Sequence, residues 1–116
     1  MIEEWKELPR FRDYEVSNFG RVRTRARKKM DSRGGVRSYK SRIVKAFKCQ
    51  AGFMMVNVFD LGKRRSIRVH RFVAQLYLPK PKLHQREVAH IDGNKSNNRR
   101  DNLLWVTKVF GDHYLL

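Results

Sequence analysis

The stretch that decides the fold runs Val88-Ala-His-Ile-Asp-Gly-Asn-Lys-Ser-Asn-Asn-Arg-Arg-Asp-Asn-Leu-Leu-Trp-Val-Thr107. Its ends are apolar and its middle is polar. Glu87 to Ile91 has the length and composition of a short strand, and Asp92-Gly-Asn-Lys is a strong turn signal. Ser96 to Asp101 reads as polar loop and Asn102 to Val106 as a returning strand. Thr107 then suits the N-cap of a final short helix that reaches the C-terminus. A strand ending in His90, a polar loop, a return strand opened by Asn102 and a helix make a small ββα unit.

Working back from this unit, Phe72, Val73, Leu76 and Tyr77 recur at helical spacing, and Pro79 and Pro81 stop that helix. Residues 79 to 86 read as linker. Phe53-Met-Met-Val-Asn-Val-Phe59 is rich in strand formers and turns through Leu61-Gly62-Lys63 into Arg65-Ser-Ile-Arg-Val69. Nearer the N-terminus, Tyr14-Glu-Val16, the turn residues Ser17-Asn-Phe-Gly20 and the return Arg21 to Arg25 form a first hairpin. Asp31-Ser-Arg-Gly-Gly35 reads as a flexible loop tip, and Ser41 to Lys48 alternates weakly.

Charge narrows the partners. The 116 residues hold 27 Lys and Arg against 11 Asp and Glu, a formal net charge of +16. An acidic partner would relieve the self-repulsion of such a chain. With 41% apolar and 11% aromatic residues a modest core can still form. Residues 21 to 48 hold twelve Lys or Arg and one acid, Asp31. Arg21, Arg23, Arg25 and Arg27 alternate, so a strand would line them on one side, where they could follow phosphates along a duplex. Lys28, Lys29, Arg33, Arg37, Lys40 and Arg42 extend the cationic surface. A membrane binder would gather its cations beside one apolar helical face instead, so no membrane partner is expected. The single Cys49 rules out an internal disulfide and a cysteine-based zinc site. No secretory leader is expected from the opening Met-Ile-Glu-Glu-Trp, and the cytoplasm is the expected compartment.

Val69-His-Arg-Phe-Val-Ala74 and the stretch Val88 to Thr107 together resemble the HNH endonucleases of phages and mobile introns. Glu4-Trp-Lys and Asp13-Tyr-Glu-Val-Ser-Asn-Phe-Gly-Arg-Val-Arg23 are similar to the NUMOD4 module that often precedes HNH. The resemblance implies an α+β chain: a strand-rich, basic, NUMOD4-like DNA-binding region over 1–68, then an HNH ββα-metal (His-Me finger) nuclease unit over 69–116. It implies cleavage or nicking of double-stranded DNA, with His90 as general base toward water and Asn102 holding the imidazole or a nearby carbonyl. It implies a divalent metal, Mg²⁺ or Mn²⁺, on the scissile phosphate.

Two positions depart from the family pattern. A metal ligand is expected just before the catalytic histidine, where this chain has Ala89, and another about nine residues after Asn102, where it has Gly111. Asp112 and His113 are the available substitutes. The competing reading is therefore an HNH scaffold that has lost catalysis and serves as a DNA- or protein-binding module. RNA binding is weaker, because the aromatic-rich sheet of common single-strand readers is missing from the sequence. Asn97 and Asn98 read as loop-ordering groups and His70 as a packed, structural histidine. Trp5 and Trp105 read as core anchors. The sequence does not set the oligomeric state.

Overall fold

A computed structural model describes the backbone of residues 1–110 and 113–115 and the side chains of residues 1–107. The described residues form four small antiparallel sheets and one α-helix. Strands β1 (Trp5–Leu8), β2 (Phe11–Ser17), β3 (Val22–Thr24) and, after an outlying hairpin, β6 (Arg42–Ile43) form one sheet in that order. The hairpin is β4 (Arg27–Met30) with β5 (Val36–Tyr39). A third sheet joins β7 (Phe47–Lys48), β8 (Met54–Asp60) and β9 (Lys63–Arg68). Helix α1 (Val69–Tyr77) follows directly, then β10 (Glu87–His90), a 3₁₀ turn at Arg100–Asn102, β11 (Leu103–Phe110) and β12 (His113–Leu115).

The helix organises the core. Val69, Val73, Ala74 and Tyr77 are buried, which is one face at helical spacing. They meet Val16 and Tyr14 of β2, Val56 and Val58 of β8, and Val88 and Leu103 of the β10–β11 pair in a single cluster. The core thus draws on both the N-terminal sheets and the C-terminal strands. Leu78 ends the helix in an extended conformation, as the ring of Pro79 requires of the residue before it. The Tyr77 hydroxyl donates to the Val16 carbonyl at 2.7 Å, and the Glu4 carbonyl lies 3.0 Å away. Burial raises the Tyr77 phenol to about 12.

The shape is elongated. The radius of gyration is 16.2 Å and the extents are 56 × 31 × 25 Å, against about 13 Å expected for a compact chain of this length. The β4–β5 hairpin accounts for part of this. Apart from Arg27 at its root, its strand residues are exposed. Asp31, expected as part of a flexible loop tip, instead builds a tight turn: its carboxylate accepts from the amides of Arg33 and Gly35 at 2.9 and 2.8 Å.

Three sequence expectations are corrected. Strand β1, which closes the first sheet, was not foreseen, nor was the β4–β5 pairing. The segment from Thr107 is strand through Phe110, not helix, and Thr107, Lys108 and Phe110 pair with Leu115, Tyr114 and His113. Its β-branched and aromatic composition, Thr-Lys-Val-Phe, favours extension.

The Tyr77 hydroxyl bridges helix and sheet in a buried place, so Tyr77→Phe should destabilise the fold by about 1–2 kcal/mol, the usual cost of an unpaired buried acceptor. Urea denaturation of the two proteins reads this directly, and coincident midpoints would show that the hydroxyl contributes nothing.

Candidate nuclease site

The β10–β11 pair places His90 opposite Leu103, with Asn102 immediately before the return strand. The loop between them is held from within. The Asn102 side-chain oxygen accepts from the Asp92 amide at 3.1 Å, while its nitrogen donates to the Asp92 carboxylate and to the Asn97 carbonyl, each at 2.9 Å. Asp92 also accepts from the Asn94 amide at 2.8 Å and the Asn97 side chain at 2.9 Å. These bonds, the one from Asn97 first, hold its carboxyl below the ordinary aspartate range. Asp92, read from sequence as a turn residue, is the centre of this network.

His90 is half-buried. Its Nε2 lies 2.7 Å from the side-chain oxygen of Asn98, which is 4% exposed. An amide oxygen can only accept, so Nε2 is the donor in this contact. Asn98 therefore contacts the imidazole, and Asn102 shapes the loop that carries Asn98. Sequence reasoning gave the ring to Asn102 or a backbone carbonyl and gave Asn98 a backbone-ordering role.

Two aromatic neighbours complete the setting. The His70 ring, near the start of α1, stands 5.2 Å from the His90 ring and stacks on Phe53 at 4.8 Å with planes 14° apart. His70 is 3% exposed and its Nδ1 has no partner among the described residues. Desolvation, then the charges of His90, Arg71, Arg68 and Lys95, depress its pKa to about 4. The packed reading of His70 is met, but the sequence carried no sign that it would face His90. Arg68 and Lys95 lie over the Phe53 ring at 5.0 and 4.6 Å, and Lys95 donates to the Ala51 carbonyl at 2.9 Å. Neither cation has a carboxylate partner among the described residues.

The donor set for a metal is thin. Ala89 offers no ligand atom, and the Asp92 carboxylate is engaged by three loop donors. Among the described residues no three His, Cys, Asp or Glu side chains gather. The described residues by themselves therefore do not fit a divalent cation. Gly111 and Asp112 lie outside the described residues, as does the side chain of His113.

The cationic surface is also distributed differently from the sequence expectation. Arg21 pairs with Glu3, Arg23 with Glu15 at 3.0 Å, Arg25 with Glu7 at 3.2 Å and Arg27 with Asp13 at 3.7 Å. Lys29 reaches Asp13 at 3.3 Å. The four arginines do not form one row, because β3 ends at Thr24 and Arg27 opens β4. Trp5 lies under the Arg23 guanidinium at 4.0 Å. Lys28, Arg33, Arg37, Lys40 and Arg42 have no carboxylate within ion-pair distance among the described residues and are exposed. Lys63, Arg64 and Arg65 of β9 are exposed likewise.

A strand ending in a histidine, an asparagine-braced loop and a return strand thus stand beside a basic sheet. The chain carries a NUMOD4 motif, matched by residues 3–59, followed by an HNH endonuclease domain, matched by residues 68–109. It is 33% identical to DNA endonuclease I-HmuI of Bacillus phage SP01 over 90% of this chain and 53% of that protein. It is 31% identical to H-N-H endonuclease F-TflII of Escherichia phage T5, over 92% of this chain and 49% of that one. An HNH endonuclease of Acanthamoeba polyphaga mimivirus is 30% identical over 91% of this chain and 28% of its own length. The solved structure described as DNA binding and cleavage by the HNH homing endonuclease I-HmuI superposes with a TM-score of 0.69 at 31% identity, covering 90% of this chain and 52% of that one. The chain thus spans between about a quarter and a half of the length of these relatives. Among the described residues no helix is long and apolar enough to cross a membrane.

Because the folded His70 pKa lies below its unfolded value of 6.5, the unfolded chain binds the extra proton first. Stability is therefore full above about pH 6.5 and falls as the pH drops toward 4, by about 3 kcal/mol from this group. Denaturation across that window, compared with His70→Phe, checks it. Equal slopes in both proteins would mean that His70 is not the proton acceptor.

Proposed function

We propose that this chain binds double-stranded DNA and nicks it by hydrolysis of one phosphodiester, with His90 as the general base. The observation that carries the reading is the Nε2 to Asn98 bond at 2.7 Å, which fixes the tautomer and leaves Nδ1 to take a proton. Water gives its proton to Nδ1 as its oxygen attacks phosphorus, and one P–O ester bond breaks, leaving an alkoxide that protonates from solvent. Asn102 and Asp92 hold the loop that orients Asn98, and His70 and Phe53 limit how far the His90 ring can tilt.

HNH nucleases are generally dependent on a divalent metal, and Mg²⁺ or Mn²⁺ would supply charge to the phosphoryl and leaving oxygens. The residues that would hold such an ion here are Asp112 and His113, since Ala89 and Gly111 occupy the expected ligand positions. Weak catalysis follows. The metal-poor donor set also favours a second reading, a DNA-binding HNH scaffold without catalysis.

Supercoiled plasmid in Mg²⁺ or Mn²⁺ separates the two. Slow nicking is expected of the parent, and Ala89→Asp should raise it at least about tenfold, or about 1.4 kcal/mol of barrier. His90→Ala in that faster background should stay folded, bind DNA and lose roughly 10²-fold or more in rate. Nicking that survives His90→Ala rejects the general base. If neither the parent nor Ala89→Asp nicks, the non-catalytic reading stands.

Duplex binding should weaken steeply with salt, with a log–log slope of roughly −4 or steeper. Arginines that already hold carboxylates must exchange one anion for another. Removing Lys28, Arg37 and Lys40 together should therefore weaken binding more than removing Arg21, Arg23 and Arg25. Fluorescence anisotropy across a salt series ranks the two triple variants, and the reverse order would return the DNA grip to β3.

A further inference from the structure

The β8–β9 hairpin ends in a turn that costs the free protein energy and brings it no burial. Asp60 pairs with Lys63, so Leu61 and Gly62 form a two-residue loop, and both have left-handed backbones, with φ of 52° and 77°. Such a turn favours asparagine followed by glycine, and a branched apolar residue at the first position is strained. The Leu61 side chain is 97% exposed, so it recovers nothing by packing, and Phe59 beside it is 58% exposed.

The mount is firm. The Phe59 amide donates to the Tyr14 hydroxyl at 3.0 Å, Asp60 pairs with Arg10 at 3.5 Å, and Val56, Val58 and Ile67 are buried beneath. Cations surround the tip. Lys63, Arg64 and Arg65 are exposed and have no carboxylate partner among the described residues. Arg64 stands opposite Phe59 in the ladder, so an apolar and a cationic side chain share one exposed face. Strain kept at an exposed apolar residue points to a use for it, and the surrounding charge says what the occupant is: a polyanion with an apolar interior.

We propose that Leu61, with Phe59 behind it, is a wedge that enters between base pairs of duplex DNA while Lys63, Arg64 and Arg65 hold the flanking phosphates. Apolar side chains used in this way unstack a base step and kink the helix. The inference rests on the DNA-binding reading above, but not on cleavage.

The test uses the whole chain on relaxed plasmid with a metal-independent topoisomerase I in EDTA, where nicking by this chain is silenced. Unstacking by the bound protein lowers the linking number recovered after the protein is removed. The parent is expected to produce the shift. Leu61→Asn, compared at equal bound occupancy, should reduce it about threefold or more while still binding the plasmid, and Leu61→Met should keep it. Asparagine accepts the left-handed backbone, so Leu61→Asn should melt no lower than the parent and fold loss would not explain the result. A parent that binds plasmid without changing the linking number overturns the wedge and leaves DNA binding intact. So does an undiminished shift with Leu61→Asn. A parent that fails to bind plasmid overturns both readings. Capture by phosphatidylserine vesicles that depends on Leu61, with unwinding unaltered, would assign the tip to lipid.

Discussion

Gly20 approaches Asn98 so closely that a β-carbon on it would stand 2.7 Å from the Asn98 carbonyl oxygen. With φ at +87°, the position also excludes ordinary side chains by backbone conformation. The turn that carries it is fastened on both sides. Asn18 accepts the Glu4 amide at 2.8 Å and donates to the Ile2 carbonyl at 3.1 Å, and its own carbonyl takes the Arg100 amide at 2.8 Å. Asn98 in turn holds the His90 ring. The N-terminal turn and the histidine loop are thus packed without a gap, and the orientation of the half-buried His90 imidazole depends on residues some seventy positions earlier. Two stretches that look like separate modules in sequence act as one mechanical unit.

The legible parts of this molecule are those whose information is local. The α1 face, the Pro79 stop, the β8–β9 hairpin and the β10–loop–β11 frame each carry periodicity or turn chemistry within a dozen residues. The missed parts depend on partners far along the chain. Nothing near Phe53 announces that it stacks on His70, and nothing in the Asn97-Asn98 doublet says that one amide orders the loop while the other reaches His90. The alternating arginines were readable as a pattern but not as a surface, because the carboxylates that meet them lie on β1 and β2 and just before them. The strand after Val106 illustrates a different limit. A capping residue is a weak reason for a helix when the sequence that follows prefers extension.

The balance at the candidate site differs from that of a typical metal-rich centre. The Asp92 carboxylate stands close enough to His90 for their charges to interact, but three loop donors engage it. Positive charge is close, from Arg68 and Lys95 beside Phe53. His70, kept neutral by burial, adds an apolar wall instead of a competing base. Taken over the described residues, such a setting offers no cluster of ligands to a bare cation.

The ion pairs of the first sheet have an effect beyond their small individual stabilities. Four of the eleven carboxylates of the chain, Glu3, Glu7, Asp13 and Glu15, each hold an arginine there, while Lys28 and Arg37 of the β4–β5 arm and Lys63, Arg64 and Arg65 of β9 hold none among the described residues. With a formal net charge of +16 the molecule as a whole is drawn toward a polyanion. The cations that hold no carboxylate can meet an anion without first giving one up. The same pairs that look like idle surface contacts thereby leave the first encounter to other side chains.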